Sequence, residues 1–203
     1  MNVTKRRILD ASLHLYNSQG LSAVSQRKIT AYLQISPGNL TYHFNKKEDI
    51  DTALYFELVA CMDSIHEKLV TEELSLATLG NFTEYLFDLI FEYRFIFLDF
   101  VHLMKSNQKV ATHYKELLGI RKLQFMQIIE VLKMQDIFRQ EELPNEYENL
   151  YGRIQVFSDF YLSSVEIIEG GVEEAHKTHY KTNIQYSIYP YLTSKGRAAF
   201  AEM

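Results

Sequence analysis

A chain of 203 residues with 47% apolar and 23% charged residues has the balance of a globular protein, which excludes a disordered or collagen-like chain. Eight Gly and three Pro are too few for a loop-rich all-β protein, and the single cysteine, Cys61, leaves no intrachain disulfide and no cysteine-based zinc site. The net charge of −5 is uneven: residues 1–50 carry seven Lys/Arg against three Asp/Glu, so a basic N-terminal quarter of net +4 precedes an acidic remainder of −9.

The pattern is helical nearly throughout. Residues 5 to 19 set Ile8, Ala11 and Leu15 beside Leu9, Leu13 and Tyr16, one broad apolar face that predicts a helix ending at Gly20. Ser25 reads as the N-cap of a short helix through about Leu33. Ser36-Pro37 starts another, with Pro at the first helical position where its missing N–H costs nothing, and this helix runs to about Phe44. Asn45 is the expected cap of a fourth helix, with Glu48 and Asp49 in its first turn, extending to about Leu69. Further helices are expected over 75–92, 95–106, 109–135, 145–169 and 174–192. Ser106-Asn107, Glu141 to Pro144 and Gly170-Gly171 punctuate them, and Pro190 should kink or end the last. No internal repeat or low-complexity stretch is visible. The fold class is all-α.

The most hydrophobic segment, Tyr85 to Met104, is interrupted by Asp88, Glu92, Arg94 and Asp99, so it reads as a buried or amphipathic helix rather than a membrane span. The start, Met1 to Arg7, is basic, but Asp10, His14 and Asn17 break what would have to be the apolar stretch of an export signal. With one cysteine, these features suit a cytoplasmic protein with no membrane contact.

Residues 25–44 form two short helices joined by Gln34, Ile35 and Ser36, a spacing that suits a helix-turn-helix whose second helix lies in a DNA major groove. Several short motifs recur in order. They are Ile8-Leu9-Asp10-Ala11, Gly20, Ser25-Gln26-Arg27-Lys28-Ile29, the run from Ile35 to Phe44, and Lys47-Glu48-Asp49-Ile50. In this order and register the chain resembles the N-terminal domain of the TetR (tetracycline repressor) family over about residues 5–50. Tyr93-Arg94-Phe95-Ile96-Phe97, with Tyr114 and Leu117 after it, is similar to part of that family's regulatory domain. The resemblance implies a homodimeric repressor. A three-helix DNA-binding module with a helix-turn-helix would occupy residues 1–46, and a helical bundle for ligand binding and dimerisation residues 47–203. It also implies double-stranded DNA with a palindromic operator, a second copy of the chain and a small-molecule effector as partners.

Within the module, Ile29, Ile35, Leu40 and Phe44 are the apolar residues that lock the two helices together. Ser25, Gln26 and Arg27 sit where the amides of a helix start and a cation can hold a phosphate. Ser36, Pro37, Gly38, Asn39, Tyr42 and His43 lie on the recognition helix, where base edges and phosphates come within reach. In the family Lys47 lies on the side that faces DNA. Lys5, Arg6 and Arg7 form a basic start that could reach an adjacent minor groove or raise nonspecific affinity. Gln34 occupies a turn position that is usually Gly, where a left-handed conformation costs about 1 kcal/mol.

For the body, the family places its dimer interface on the last two long helices. Here these carry Tyr151, Ile154, Phe157, Tyr161 and Val165, then Ile184, Ile188 and Tyr191, at spacings of three and four. The same stripe would serve as intrachain core. Phe97, Phe100, Met104 and Phe125 are apt lining for a hydrophobic or aromatic effector, with His102, Tyr114 and Arg121 as orienting polar groups, although aromatic stripes of this kind also build cores.

Two other readings compete. Glu173 and His176 have the i, i+3 spacing of a di-iron ligand pair, but the partner pair, Asp63 and His66, has the wrong acid. No GxSxG, Walker A, HExxH or GxGxxG motif occurs, so no enzyme, cofactor or metal is expected. The alternative within binding proteins is a helical ligand- or protein-binding module whose helix-turn-helix has degenerated at Gln34 and Thr41. Steep salt dependence of DNA binding separates the two.

Overall fold

The computed structural model describes residues 3–71 and 73–202, and among these the chain is helical with no strand. In chain order the helices are α1 (Val3–Gln19), α2 (Gln26–Leu33), α3 (Pro37–His43), α4 (Lys47–Thr71), α5 (Leu76–Glu92) and α6 (Arg94–Leu98). They continue as α7 (Phe100–Ser106), α8 (Gln108–Met134), α9 (Glu146–Glu169), α10 (His176–Ile188) and α11 (Ser194–Ala201). Met1, Asn2 and Met203, at the ends of the expected domains, lie outside the described residues, as does Glu72.

The first three helices are set by their caps. Gly20 ends α1 at φ +83°, a conformation that favours glycine, with its N–H on the Tyr16 carbonyl at 2.9 Å. Ser25 caps α2 by accepting from the Lys28 amide at 3.3 Å, and Ser36 caps α3 by accepting from the Asn39 amide at 3.2 Å. Gln34 takes the left-handed conformation at φ +55°, so that its own amide reaches Ala31 O and the Ile35 amide reaches Thr30 O, closing α2. Two hydrogen bonds and the burial of Ile29, Leu40 and Phe44 outweigh the backbone strain.

Three boundaries differ from the expected ones. The cap of α4 is the Lys46 position rather than Asn45, because the Asp49 carboxylate reaches back to the Lys46 amide at 3.0 Å. The helix expected over 95–106 is broken at Asp99 into α6 and α7. The last expected helix stops at Ile188, where Pro190 tightens the chain into the 3₁₀ turn Tyr189–Tyr191, and α11 follows. A Cβ on Gly196 in α11 would sit 2.2 Å from Ile137 O, so only glycine allows that helix to pack on the corner after α8.

One buried cluster runs from α1, α2 and α3 through α4 into α5, α6, α7 and α9, so the basic N-terminal module and the body share a core. A second cluster closes the far end, where Leu132, Ile137, Phe138, Tyr147, Leu150 and Tyr191 meet.

Replacing Gln34 by glycine removes the left-handed strain. The expected result is a gain of about 0.5–1 kcal/mol, read as a higher urea midpoint at unchanged slope. An unchanged midpoint would mean that the Gln34 side chain, not backbone preference, sets this turn.

Candidate functional site

Helices α2 and α3 present one face built almost entirely from exposed polar residues. Ser36, Pro37, Gly38 and Asn39 are exposed on the first turn of α3, and Ser25 and Arg27 are exposed at the start of α2. Tyr42 is 85% exposed, an extreme value for an aromatic side chain, and stacks edge-on with the half-buried His43 at 5.0 Å. The Ser25 and Ser36 hydroxyls accept backbone N–H groups as caps, which leaves each hydroxyl hydrogen free to donate outward. A Cβ on Gly38 would meet nothing in the chain within 4 Å, so the space over the helix start is left open. Gln26 plays a different part: its amide donates to Phe44 O at 3.2 Å and ties α2 to the end of α3.

The cations of the module divide into free and held. Arg27, Arg7 and Lys46 are exposed. Lys47 is half-buried, with its ammonium 3.2 Å from the Asp51 carboxylate and 4.9 Å from the centre of the Tyr16 ring. Burial raises the Asp51 carboxyl above its ordinary range, opposed by Lys47 and Tyr16, and the Tyr16 phenol is raised by burial and by Asp51. Lys5, Arg6 and Arg7 are not an extended arm, since α1 already begins at Val3. Arg6 pairs with Asp10 and with Glu57 of α4, each at 2.7 Å, and the Lys5 ammonium lies 5.3 Å over the Phe44 ring.

Behind this head, α4 to α10 enclose a cavity of about 240 Å³ with a largely apolar wall. Of the expected effector residues, Phe97, Phe100, Tyr114, Arg121 and Phe125 line it together. Two do not: His102 is exposed on the outer side of α7, and Met104 packs against the core away from the cavity. The wall also holds polar groups that sequence reasoning passed over. Asp159 and Gln155 of α9 join Tyr114 of α8: the Tyr114 hydroxyl and the Gln155 amide both donate to Asp159 Oδ2, and Gln155 Nε2 lies 2.9 Å from the Tyr114 hydroxyl. Tyr180 donates to Ser158 Oγ at 2.8 Å, and Tyr151 donates to Leu118 O at 3.1 Å. A carboxylate inside the run Val156-Phe157-Ser158-Asp159-Phe160-Tyr161-Leu162, one turn after Gln155, was the signal available in the sequence.

The residues expected at a dimer interface face the interior of their own chain. Tyr151 and Ile154 line the cavity, and Phe157 stacks on Tyr180 at 5.5 Å. Tyr161, Val165 and Tyr191 are buried, while Ile184 and Ile188 line a second cavity of about 130 Å³. The reason is that α9 is apolar on both sides, so periodicity alone could not say which stripe turns in. The outward stripe of α9 carries Val156, Phe160 and Ile167, at 54%, 41% and 83% exposure, and Tyr186 is exposed on α10.

The short helix α6 connects the two regions. Its Ile96 and Phe97 line the cavity. At its start, Asn17 of α1 accepts from the Phe95 amide at 3.1 Å and donates to Glu92 O at 2.7 Å. At its end, the Asp99 carboxylate accepts from the Leu21 amide, just past α1, at 2.7 Å. The Tyr16 and Phe95 rings pack at 5.0 Å between these two points. The helix that borders the cavity is therefore the one tied to α1 and to the loop after it.

Among the described residues no group of His, Cys, Asp and Glu is arranged to hold a metal ion, and no helix is long and apolar enough to cross a membrane. His176, which has the i, i+3 spacing to Glu173 of the rejected di-iron reading, has its ring nitrogens on Glu173 and on the Glu169 carboxylate at 2.9 Å.

An exposed two-helix reading head joined to a helical body with an internal cavity defines a helix-turn-helix regulator with a ligand-binding domain. Comparison with known proteins agrees. A family model described as bacterial regulatory proteins, tetR family, matches residues 8–54, and one described as bacterial transcriptional repressor matches residues 58–200. The chain belongs to the tetR family: it is a DNA-binding transcriptional regulator and not an enzyme. Among solved structures, a TetR-family transcriptional regulator from Marinobacter aquaeolei VT8 is 24% identical with a TM-score of 0.85, over 100% of this chain and 97% of that one. A Saccharomonospora viridis protein in complex with choline is 20% identical with a TM-score of 0.72, over 94% of this chain and 98% of that one. The ketosteroid transcriptional regulator KstR2 of Mycobacterium tuberculosis is 16% identical with a TM-score of 0.66, over 96% and 97%. No curated protein matches the chain.

Asn17→Ala leaves the Phe95 amide and the Glu92 carbonyl without their partner, and Asp99→Ala does the same to the Leu21 amide. Each is expected to cost about 1–2 kcal/mol of stability, measured by denaturant unfolding. Wild-type midpoints in both variants would mean that α6 is held by packing alone.

Proposed function

We propose that this regulator is a homodimeric repressor that binds a palindromic operator through α3 and lets go when a small effector fills the cavity. Residues 1–46 act as the reading head and residues 47–203 as the effector and dimerisation body. On the head, Asn39, Tyr42 and His43 meet the groove, while Ser25, Arg27, Ser36, Pro37 and Gly38 meet the phosphate backbone. Gln26 supports this face from behind. Lys47 contributes positive potential from beside Tyr16 rather than as a free side chain.

The observation that carries the reading is the joint at α6, where cavity-lining Ile96 and Phe97 sit between hydrogen-bonded ties to α1 and to the loop that leads into the helix-turn-helix. An effector that prefers one setting of α6 shifts the tilt of both heads. Half-sites are read only when the heads stand about 34–36 Å apart or a multiple of that distance. A differential affinity of about 1–3 kcal/mol between the two settings gives a useful switch.

The dimer forms through the outward stripe of α9, Val156, Phe160 and Ile167, together with Tyr186 of α10. These apolar side chains are exposed in the single chain, and their helices are the last long pair. The inward stripe is retained for the cavity and the core. One neighbour was solved in complex with choline and another is named a ketosteroid transcriptional regulator, which supports a small organic effector without fixing its class. The effector class is therefore sought in this chain's own lining, an apolar and aromatic one with a few polar groups.

The test is titration of the purified protein into labelled DNA from upstream of its own gene, at low and moderate salt, against scrambled competitor. Saturable binding that survives competitor and falls steeply with salt supports the reading. Equal binding to both DNAs would reduce the head to a nonspecific basic patch. Tyr42→Ala is expected to weaken operator binding at least tenfold, about 1.4 kcal/mol, while sedimentation still shows a dimer. Phe160→Asp is expected to do the opposite at the first step, giving monomers whose operator affinity falls with protein concentration. A dimeric Phe160→Asp chain would move the interface elsewhere.

A further inference from the structure

Asp159 is a carboxylate in the wrong place for a purely apolar effector. It is 8% exposed, lies midway along α9 and contributes to the cavity wall. Its Oδ2 receives both available donors, the Tyr114 hydroxyl and the Gln155 amide. Its Oδ1 accepts no hydrogen bond among the described residues, and no ion pair involves either oxygen. A buried carboxylate without a counter-ion costs several kcal/mol. A purely structural tie between α8 and α9 would be made more cheaply by an amide, which would bring its own donor and no charge.

The surrounding cations are already committed. Arg121, on the same wall, is paired with Asp63 and donates to Gln124 at 2.8 Å. On α10, Lys177 is paired with Asp88 at 2.8 Å, and Lys181 with Glu84. His66 on α4 has its Nδ1 3.0 Å from Met62 O, and burial lowers its basicity, so it stays neutral. His113 is engaged with the Tyr55 hydroxyl at 3.0 Å. Burial pushes the Asp159 carboxyl up, and only the hydrogen bonds from Tyr114 and Gln155 oppose that. Among the described residues no basic side chain is paired with it.

The rest of the wall fits a ligand that would pair with it. Phe97, Phe100, Tyr114, Tyr151 and Tyr180 surround the cavity with aromatic rings, with Phe100 and Tyr114 edge to face at 5.0 Å. Such rings attract a cation through their faces and tolerate a flat body between them. The volume, about 240 Å³, is small for a ligand pocket and suits one ring with a short chain. We propose that the cavity takes an organic ammonium ion, carried on a small aromatic or aliphatic body, with an N–H donated to Asp159 Oδ1. The assignment rests on the cavity being the effector site, and it names the chemical class that the site selects.

The test uses the full chain and three probes of one shape: phenethylamine, protonated at neutral pH, the uncharged propylbenzene and the anionic hydrocinnamate. Isothermal titration is expected to show phenethylamine bound about tenfold or more tightly than propylbenzene, with hydrocinnamate weakest. Asp159→Asn is expected to bring phenethylamine to within about twofold of propylbenzene. Propylbenzene binding as tightly as phenethylamine to the unmodified protein would overturn the ammonium assignment while leaving the effector cavity standing. Hydrocinnamate binding best would overturn it in favour of Arg121 as the selecting charge. Binding of none of the three would remove both the assignment and the cavity's role as an effector site. The comparison of probes on the unmodified protein decides the matter however well the Asp159→Asn chain folds.

Discussion

Asn17 and Asp99 fix the two ends of a helix only five residues long, and the relation between reading head and body depends on them. A helix this short has few internal hydrogen bonds, so its position is decided by what its ends touch. Here the contacts at both ends come from α1 and the loop after it. Between them Phe95 packs on Tyr16, and on the other side Ile96 and Phe97 face the cavity. The break at Asp99 is what aims a carboxylate at the Leu21 amide. The same joint is reinforced from α8, where Asn107 donates to Glu48 O at 3.1 Å and to the Thr52 hydroxyl at 2.9 Å in the first turns of α4. Head and body therefore share one core rather than being joined as beads on a linker.

Helix α9 inverts the ordinary arrangement of an amphipathic helix. Its inner face holds a carboxylate, an amide and a hydroxyl around a cavity, while its outer face exposes Val156, Phe160 and Ile167. Buried polar groups and exposed apolar patches are the informative exceptions to burial, and here they share one element. Each asks for something outside the single chain: a ligand to complete the inner face, and an apolar surface to cover the outer one. One helix thus borders both the cavity and the exposed apolar stripe.

The positive charge of the N-terminal quarter is less free than its count suggests. Arg6 is spent on Asp10 and Glu57, and Lys47 on Asp51 and the Tyr16 ring. These pairs hold α1 against α4. Arg7, Arg27 and Lys46 remain open to solvent, beside the exposed α3.

The sequence by itself determined most of the helices and the caps at Ser25 and Ser36, but not the cap of α4 or the last short helix. Ser25, Ser36-Pro37 and the Ile29, Leu40, Phe44 set act within a few residues of one another and mark two short helices at helix-turn-helix spacing, and the resemblance of residues 5–50 to the TetR family is what marked them as a reading head. The left-handed turn at Gln34 was foreshadowed by the resemblance, in which this turn position is usually Gly. The end of α10 before Pro190 was legible as well, but the break at Asp99 was not, since it depends on a partner far along the chain, the Leu21 amide. The tertiary structure alone decided which stripe of α9 turns inward, because both are apolar and a helical period has no preferred side. It alone brought Asp159 to Tyr114, 45 residues away, and set Arg121 against Asp63. A local pattern fixes what a helix is, but the charge balance inside a cavity is a sum over elements that meet only when the chain has folded.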